Sequence, residues 1–298
     1  MVARRSSCTS RSDPTAVPDR WSRWGADSAD RDATPATDLP PLFAGTDHAE
    51  PSTFVVENLL REARRQRNLG STPVPEVCLL DPDGDVVRHL RRLGRATRHE
   101  DWACYHSELW VTEIGGRELG IVPCAVGAPY AVLVAEELGA SGCSLVVSVT
   151  SAGSITPLGE PPYFVLIERA WRDEGTSHRY VPRALWSELQ RHLDVALVAA
   201  FEHLDEPVHR GVSWTTDAPF RETWSAIERA REAGIHAFEM ESAALYAYAV
   251  ARRRDVVCVA HVTNTMATAG DDFEKGADDG AERVLSLAAA IADACQRQ

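Results

Sequence analysis

From Pro75 onward, short apolar runs alternate with segments of helical periodicity. This alternation restricts the chain to an α/β fold whose sheet is covered on both faces. The runs at 77–80, 108–113, 119–124, 145–149, 163–168, 208–214, 236–240 and 256–262 predict strands. The segments at 85–93, 130–140, 184–193, 195–204, 220–233, 242–253 and 279–294 predict helices. Several strands run out into turns of Gly, Ser, Thr or Asp, and ligands gather at such strand ends in open α/β sheets. Upstream, Ser52-Thr53 ahead of the apolar stretch 54–60 and the basic stretch 61–67 reads as a capped surface helix stopped by Gly70. Residues 1–50 are rich in Ser, Thr, Asp, Arg and Pro, with no sustained periodicity and no apolar signal-peptide core. They read as a disordered or loosely packed arm, in spite of Trp21 and Trp24, ahead of a single α/β domain over 51–298.

Composition excludes several function classes. The 44% apolar and 25% charged fractions are those of a globular protein, and no apolar run approaches the ~20 residues of a membrane span. A net charge of -13, from 31 basic and 44 acidic residues, disfavours partners such as nucleic acid or an anionic membrane surface. The seven cysteines are scattered through apolar segments, as in Val256-Val257-Cys258-Val259, which fits reduced thiols in a cytoplasmic protein. None forms a Cys-x-x-Cys pair, and the His99, Cys104, His106 grouping lacks zinc spacing, so no metal is expected. The glycine fingerprints of dinucleotide and triphosphate sites are missing too.

Five segments carry candidate chemistry. Glu239-Met240-Glu241 places two carboxylates two residues apart where an apolar run becomes a helix. In extended backbone they share one face, and such a pair is suited to the neighbouring hydroxyls of a ribose. The alternative is that acids in a first helical turn merely offset the helix dipole. The stretch 147–154 runs from a buried strand, with Ser148 and Thr150, into Ser151-Ala152-Gly153-Ser154, which can offer hydroxyls and N–H groups to an anion or a sugar, or simply make a tight strand exit. Gly127-Ala128-Pro129 opens a helix, either to let a ligand approach the backbone or as an ordinary turn. Trp214-Thr215-Thr216-Asp217 with Phe220 and Arg221 can stack on and hydrogen-bond a planar base, or Asp217 caps a helix with Arg221 in solvent. At the end of the last apolar strand, Asn264 suits a base edge or leaving group but is also a common turn residue, and His261 reads as a core residue.

In this order the segments resemble the nucleoside phosphorylase superfamily, which comprises purine nucleoside and uridine phosphorylases and their nucleosidase relatives. Glu239-Met240-Glu241-Ser242 resembles its ribose-binding motif, Ser151-Ala152-Gly153-Ser154 its turn after the central strand, Gly127-Ala128-Pro129 its Gly-Gly-Pro turn and Thr215-Thr216-Asp217 its Ser-Ser-Asp segment. Arg172-Asp173-Glu174-Gly175-Thr176-Ser177 is similar to a further phosphorylase segment. The resemblance implies a three-layer αβα fold around a central mixed sheet and a homo-oligomer. It also implies cleavage of a nucleoside by phosphorolysis, with inorganic phosphate as co-substrate and no other cofactor. It implies ribose against Glu239, Met240, Glu241 and Ser151, with Glu241 and Asn264 at the reacting centre. The base falls to Trp214, Thr216, Asp217, Phe220 and Arg221, and the nucleophile to Gly127, Ser148, Thr150 and Ser151.

The chain also departs from the family. Where phosphorylases carry Gly-Asp-Pro-x-Arg, this chain has Leu80-Asp81-Pro82-Asp83-Gly84-Asp85, and Ser148 stands where they have a central-strand arginine. Because a charge-assisted bidentate contact is about twice as strong as a neutral hydrogen bond, the phosphate site is expected to be remodelled. Water as nucleophile and a non-catalytic nucleoside-binding protein are the alternatives. Asn264 replaces the aspartate with which purine-specific relatives protonate the base. The sequence leaves the identity of the base open.

Overall fold

A computed structural model describes Leu42 and residues 47–204, 206–265 and 273–296. Apart from Leu42 and residues 47–50, the predicted arm, with Trp21 and Trp24, lies outside the described residues. The chain runs α1 (Val56–Arg67), β1 (Val77–Asp81), α2 (Asp85–Arg92), β2 (Thr97–Arg98), β3 (Trp110–Ile114), β4 (Arg117–Pro123), α3 (Ala128–Ala140) and β5 (Leu145–Ser154). It continues through β6 (Tyr163–Asp173), α4 (Ser177–Tyr180), β7 (Trp186–Glu188), α5 (Arg191–Ala196), β8 (Val208–Thr216), α6 (Trp224–Glu232), β9 (Ala237–Glu239), α7 (Ser242–Arg252), β10 (Asp255–Asn264) and α8 (Ala281–Gln296). Among the described residues no helix is long and apolar enough to cross a membrane.

The sheet is mixed and is organised on β5, whose first six residues are all buried, as expected of a strand flanked on both sides. Its first half pairs in parallel with β1, and β1 continues to β4, β3 and β2. On its other side it pairs in parallel with β10 from Leu145 to Gly153, and at Gly153 and Ser154 it also pairs antiparallel with β9. The path β5–β10–β6–β8–β9–β5 therefore closes into a ring of five strands. Closure removes free edges and brings the ends of β5, β9 and β10 together. Helices α1, α3, α4 and α7 pack as one group and α2, α5 and α8 as another.

All eight predicted strands have counterparts, and several helical readings are corrected. The predicted helix at 184–193 is instead the strand β7 followed by the start of α5. Cross-strand pairing with β6 decides this: Trp186 lies opposite Trp171, with ring centroids 6.1 Å apart, and the Arg169 guanidinium sits 4.5 Å over the Trp186 ring. The predicted 195–204 helix stops early in a 3-10 turn at Leu197–Ala199. The first helix ends on Asn68, which takes the left-handed conformation (φ 53°) expected of Gly70, and its N-cap Val55 makes no side-chain cap bond.

Helix α7 is buried from Ser242 to Ala249, which its Ala-rich sequence permits by offering no polar face. Its two tyrosines remain satisfied inside. Tyr248 Oη donates to Ala135 O (2.9 Å); Tyr246 Oη donates to Ile167 O (2.5 Å) and accepts the Cys258 N–H (3.2 Å), beside the point where the β6–β8 register skips Glu168. Tyr246→Phe leaves both backbone groups without this partner. It is expected to lower stability by ~1–3 kcal/mol in urea unfolding without changing the m-value.

Candidate active site

Short strand β9 lies between β8 and β5, with Phe238 opposite both Trp214 and Gly153. Position 153 requires glycine, because a Cβ there would stand 2.1 Å from Phe238 Cε1. The chain then turns through Met240 into α7, with Glu241 at the N-cap position. The Glu239 carboxylate folds over the first turn of that helix. Its Oε2 accepts the N–H groups of Glu241 and Ser242, both at 2.7 Å, and its Oε1 accepts from Ser213 Oγ (2.9 Å) and Thr215 Oγ1 (2.5 Å). An anion at these otherwise unpaired N–H groups gains from the hydrogen bonds and from the helix dipole together. For Glu239, the dipole explanation of the acidic pair holds.

Glu241 is placed differently. Its Oε1 accepts the Gly127 N–H (2.6 Å), and its Oε2 accepts from Thr150 Oγ1 (2.9 Å) and the Met240 N–H (3.2 Å). Gly127 precedes α3 at φ 88°, a conformation that disfavours any side chain. The four acceptor positions of Glu239 are filled, whereas these three bonds leave one position on Glu241 Oε1. Burial raises the pKa of both carboxyls. Glu241, which also feels the Glu239 charge, is raised to about 7. Glu239 has four donors holding its charge and Glu241 three.

A cavity of about 780 Å³ opens beside this turn. The strand ends contribute Ser151, Gly153, Glu239, Met240 and Asn264; the loop after β8 contributes Phe220 and Glu222, and the start of α6 contributes Trp224. Ser151 Oγ is 3.0 Å from Thr263 Oγ1, to which Asn264 Nδ2 also donates (3.3 Å). Phe220, Trp224 and Phe273 are exposed at the cavity. Among the described residues its remaining charged groups are Asp83 and Lys275, whose Nζ lies 2.6 Å from both Asp83 Oδ2 and Asp85 Oδ2. A larger hollow of about 890 Å³, lined by Phe54, Glu136, Tyr180 and Tyr248, contains none of Ser151, Glu239 or Asn264. The chemistry of the side chains, not size, selects the smaller one.

The structure brings together Ser151, Phe220, Glu239, Met240 and Asn264 of the sequence-predicted site residues around this cavity, with Glu241, Gly127 and Thr150 tied to one another just behind. The others lie elsewhere. Trp214 is buried and donates its indole N–H to Asp173 (3.0 Å); Thr216 Oγ1 accepts the Ala218 N–H; Asp217 accepts the Gly175 N–H and lines the larger hollow. Arg221 is exposed and Ser148 is buried with its Oγ unpartnered, and neither lines the cavity. Arg172 spends its guanidinium on Ser177 Oγ and Pro182 O, both at 2.8 Å.

Glu222 and Lys275 are chemically active cavity residues that the sequence reading did not assign to the site. Glu222 has a buried Oε1 with no hydrogen-bond partner, and burial together with the Asp173 charge raises its pKa to about 7. The signal available for it was an acid among the aromatics of 220–224. Lys275 had no signal, since its aspartate partners lie 190 and 192 residues away.

The family profile described as "Phosphorylase superfamily" matches residues 76–297. A uridine phosphorylase of Thermococcus kodakarensis is 28% identical over 219 residues, 66% of this chain and 78% of that protein. A guanosine phosphorylase of Halorubrum lacusprofundi is 26% identical over 179 residues, 58% of this chain and 74% of that one. The fold is shared with the purine nucleoside phosphorylase of Toxoplasma gondii solved with immucillin-H (TM-score 0.64, 15% identity, 76% of this chain and 94% of that one). It is also shared with a uridine phosphorylase of Vibrio fischeri (TM-score 0.60, 19% identity, 75% and 90%).

The raised Glu241 has a consequence for stability. A carboxyl that titrates near 7 when folded, against the ordinary glutamate value of 4.5, binds its proton more tightly in the native state across that window. Its contribution is present at low pH and is lost as pH rises through about 7. Urea-unfolding stability is therefore expected to fall by roughly 1–3 kcal/mol from this group between pH 5 and 8. The slope should be shallower in Glu241→Gln.

Proposed function

The chain belongs to the phosphorylase superfamily, and on that premise we propose that it cleaves the N-glycosidic bond of a ribonucleoside with inorganic phosphate, releasing the base and ribose 1-phosphate. The observation that carries this reading is the Glu239-Met240-Glu241 turn at the wall of the 780 Å³ cavity, locked by seven hydrogen bonds to its two carboxylates. Such locking fixes the turn before substrate arrives, so little reorganisation is needed on binding.

In this reading Met240 packs on the sugar and the open acceptor position of Glu241 takes a ribose hydroxyl. As the glycosidic bond lengthens, the sugar gains oxocarbenium character, and a carboxylate bonded to it favours that charge. Phe220 stacks on the base. Glu222, protonated over part of the neutral range, supplies one O–H donor and one acceptor to the base edge, and Asn264 supplies an amide that can do the same. The pairing of a neutral carboxyl with an amide suits a base whose edge alternates carbonyl and N–H groups.

Two measurements test this. A ribonucleoside panel incubated with and without phosphate is expected to give free base and ribose 1-phosphate only with phosphate; free ribose as the sole sugar product contradicts the reading. Glu241→Gln is expected to lower kcat/KM for ribonucleosides at least ~100-fold, the scale of about 3 kcal/mol from a charge-assisted hydrogen bond. Retained activity in that variant removes Glu241 from the sugar site.

A further inference from the structure

Lys275 is the single cationic side chain lining the cavity among the described residues. Its ammonium is clamped between Asp83 Oδ2 and Asp85 Oδ2, each at 2.6 Å. An ammonium has three N–H donors, so this clamp leaves one uncommitted. The two carboxylates differ in position. Asp85 has 11% of its side chain exposed and also pairs with Arg88, whereas Asp83 has 33% exposed and itself lines the cavity. Asp85 thus holds the lysine from behind while Asp83 covers it on the cavity side. Arg172, bonded to Ser177 and Pro182, and Arg88, bonded to Asp85, do not line the cavity.

We propose that Lys275 is the residue that binds the phosphate nucleophile, and that Asp83 is a competing carboxylate that the incoming phosphate displaces from it. This inference rests on the phosphorolytic reading above. Its chemistry is an exchange of partners on one ammonium: the Lys275–Asp83 ion pair opens, a Lys275–phosphate pair forms, and Asp85 stays in place. An anion entering next to Asp83 also meets like-charge repulsion, so the clamp sets phosphate affinity low and makes it respond in opposite directions to loss of the lysine and loss of the aspartate.

The test is the KM for phosphate at saturating nucleoside, measured alongside kcat, the nucleoside KM and the melting temperature. Lys275→Met is expected to raise the phosphate KM about tenfold or more, the scale of losing one charge-assisted contact, with the nucleoside KM within about threefold. Asp83→Asn is expected to lower the phosphate KM several-fold, and Lys275→Arg to keep it near wild type. A phosphate KM unmoved by Lys275→Met overturns the inference while phosphate-dependent turnover leaves the reading of the reaction intact. If Lys275→Met does not fold, Asp83→Asn decides: an unchanged or higher phosphate KM overturns the inference. If the wild type does not turn over, calorimetric titration with inorganic phosphate separates the two ideas. Binding that Lys275→Met removes upholds the lysine site and sinks the reaction, whereas absence of phosphate binding overturns both.

Discussion

The Glu239 carboxylate is the fixed point of this molecule. Its two oxygens accept from β8 through Ser213 and Thr215 and from the first turn of α7 through Glu241 and Ser242. One buried anion thereby joins the strand that completes the five-stranded ring to the buried helix behind it. Removing its charge leaves four donors to be satisfied by a poorer acceptor at a side chain that is only 2% exposed. The geometry of Met240 and Glu241 follows from this anchor, because both lie in the turn whose far end it holds.

Around the anchor the electrostatics are lopsided. Glu239, Glu241 and Glu222 sit at or beside one cavity, and Asp81, also raised to about 7 by burial and by its acidic neighbours, lies next to Asp83. Against them stands Lys275. A wall of carboxylates favours a sugar that becomes positive as its glycosidic bond breaks, and it opposes a nucleophile that arrives as an anion. The same feature therefore assists one half of a phosphorolysis and resists the other, and a lysine between two aspartates is the local compromise.

Much of this was legible in the sequence. Strands of continuous apolar residues read clearly because burial on both faces leaves no ambiguity of period, and the Glu-Met-Glu turn stood out because two acids interrupt such a run. The strand β7 was not legible: Trp186, Ser187 and Glu188 carry no decisive period of their own, and their pairing with β6 is a contact between distant segments. The base-side assignment drifted for a related reason. Trp214 and Thr216 alternate along β8, but the loop after it, with Phe220 and Glu222, is what reaches the cavity. Lys275 depends on a meeting of the first βα turn with the segment before α8, which no local pattern encodes.

In the proposed reaction the sugar of a ribonucleoside lies against Met240 with a hydroxyl on Glu241. A crystal structure with a ribonucleoside and phosphate bound tests it most directly. A ribose hydroxyl oxygen is expected within hydrogen-bond distance of Glu241 Oε1, with the base beside Phe220, Glu222 and Asn264. A nucleoside seated in the larger hollow against Tyr180 and Tyr248, or in the smaller cavity with its sugar away from Glu241, would contradict it.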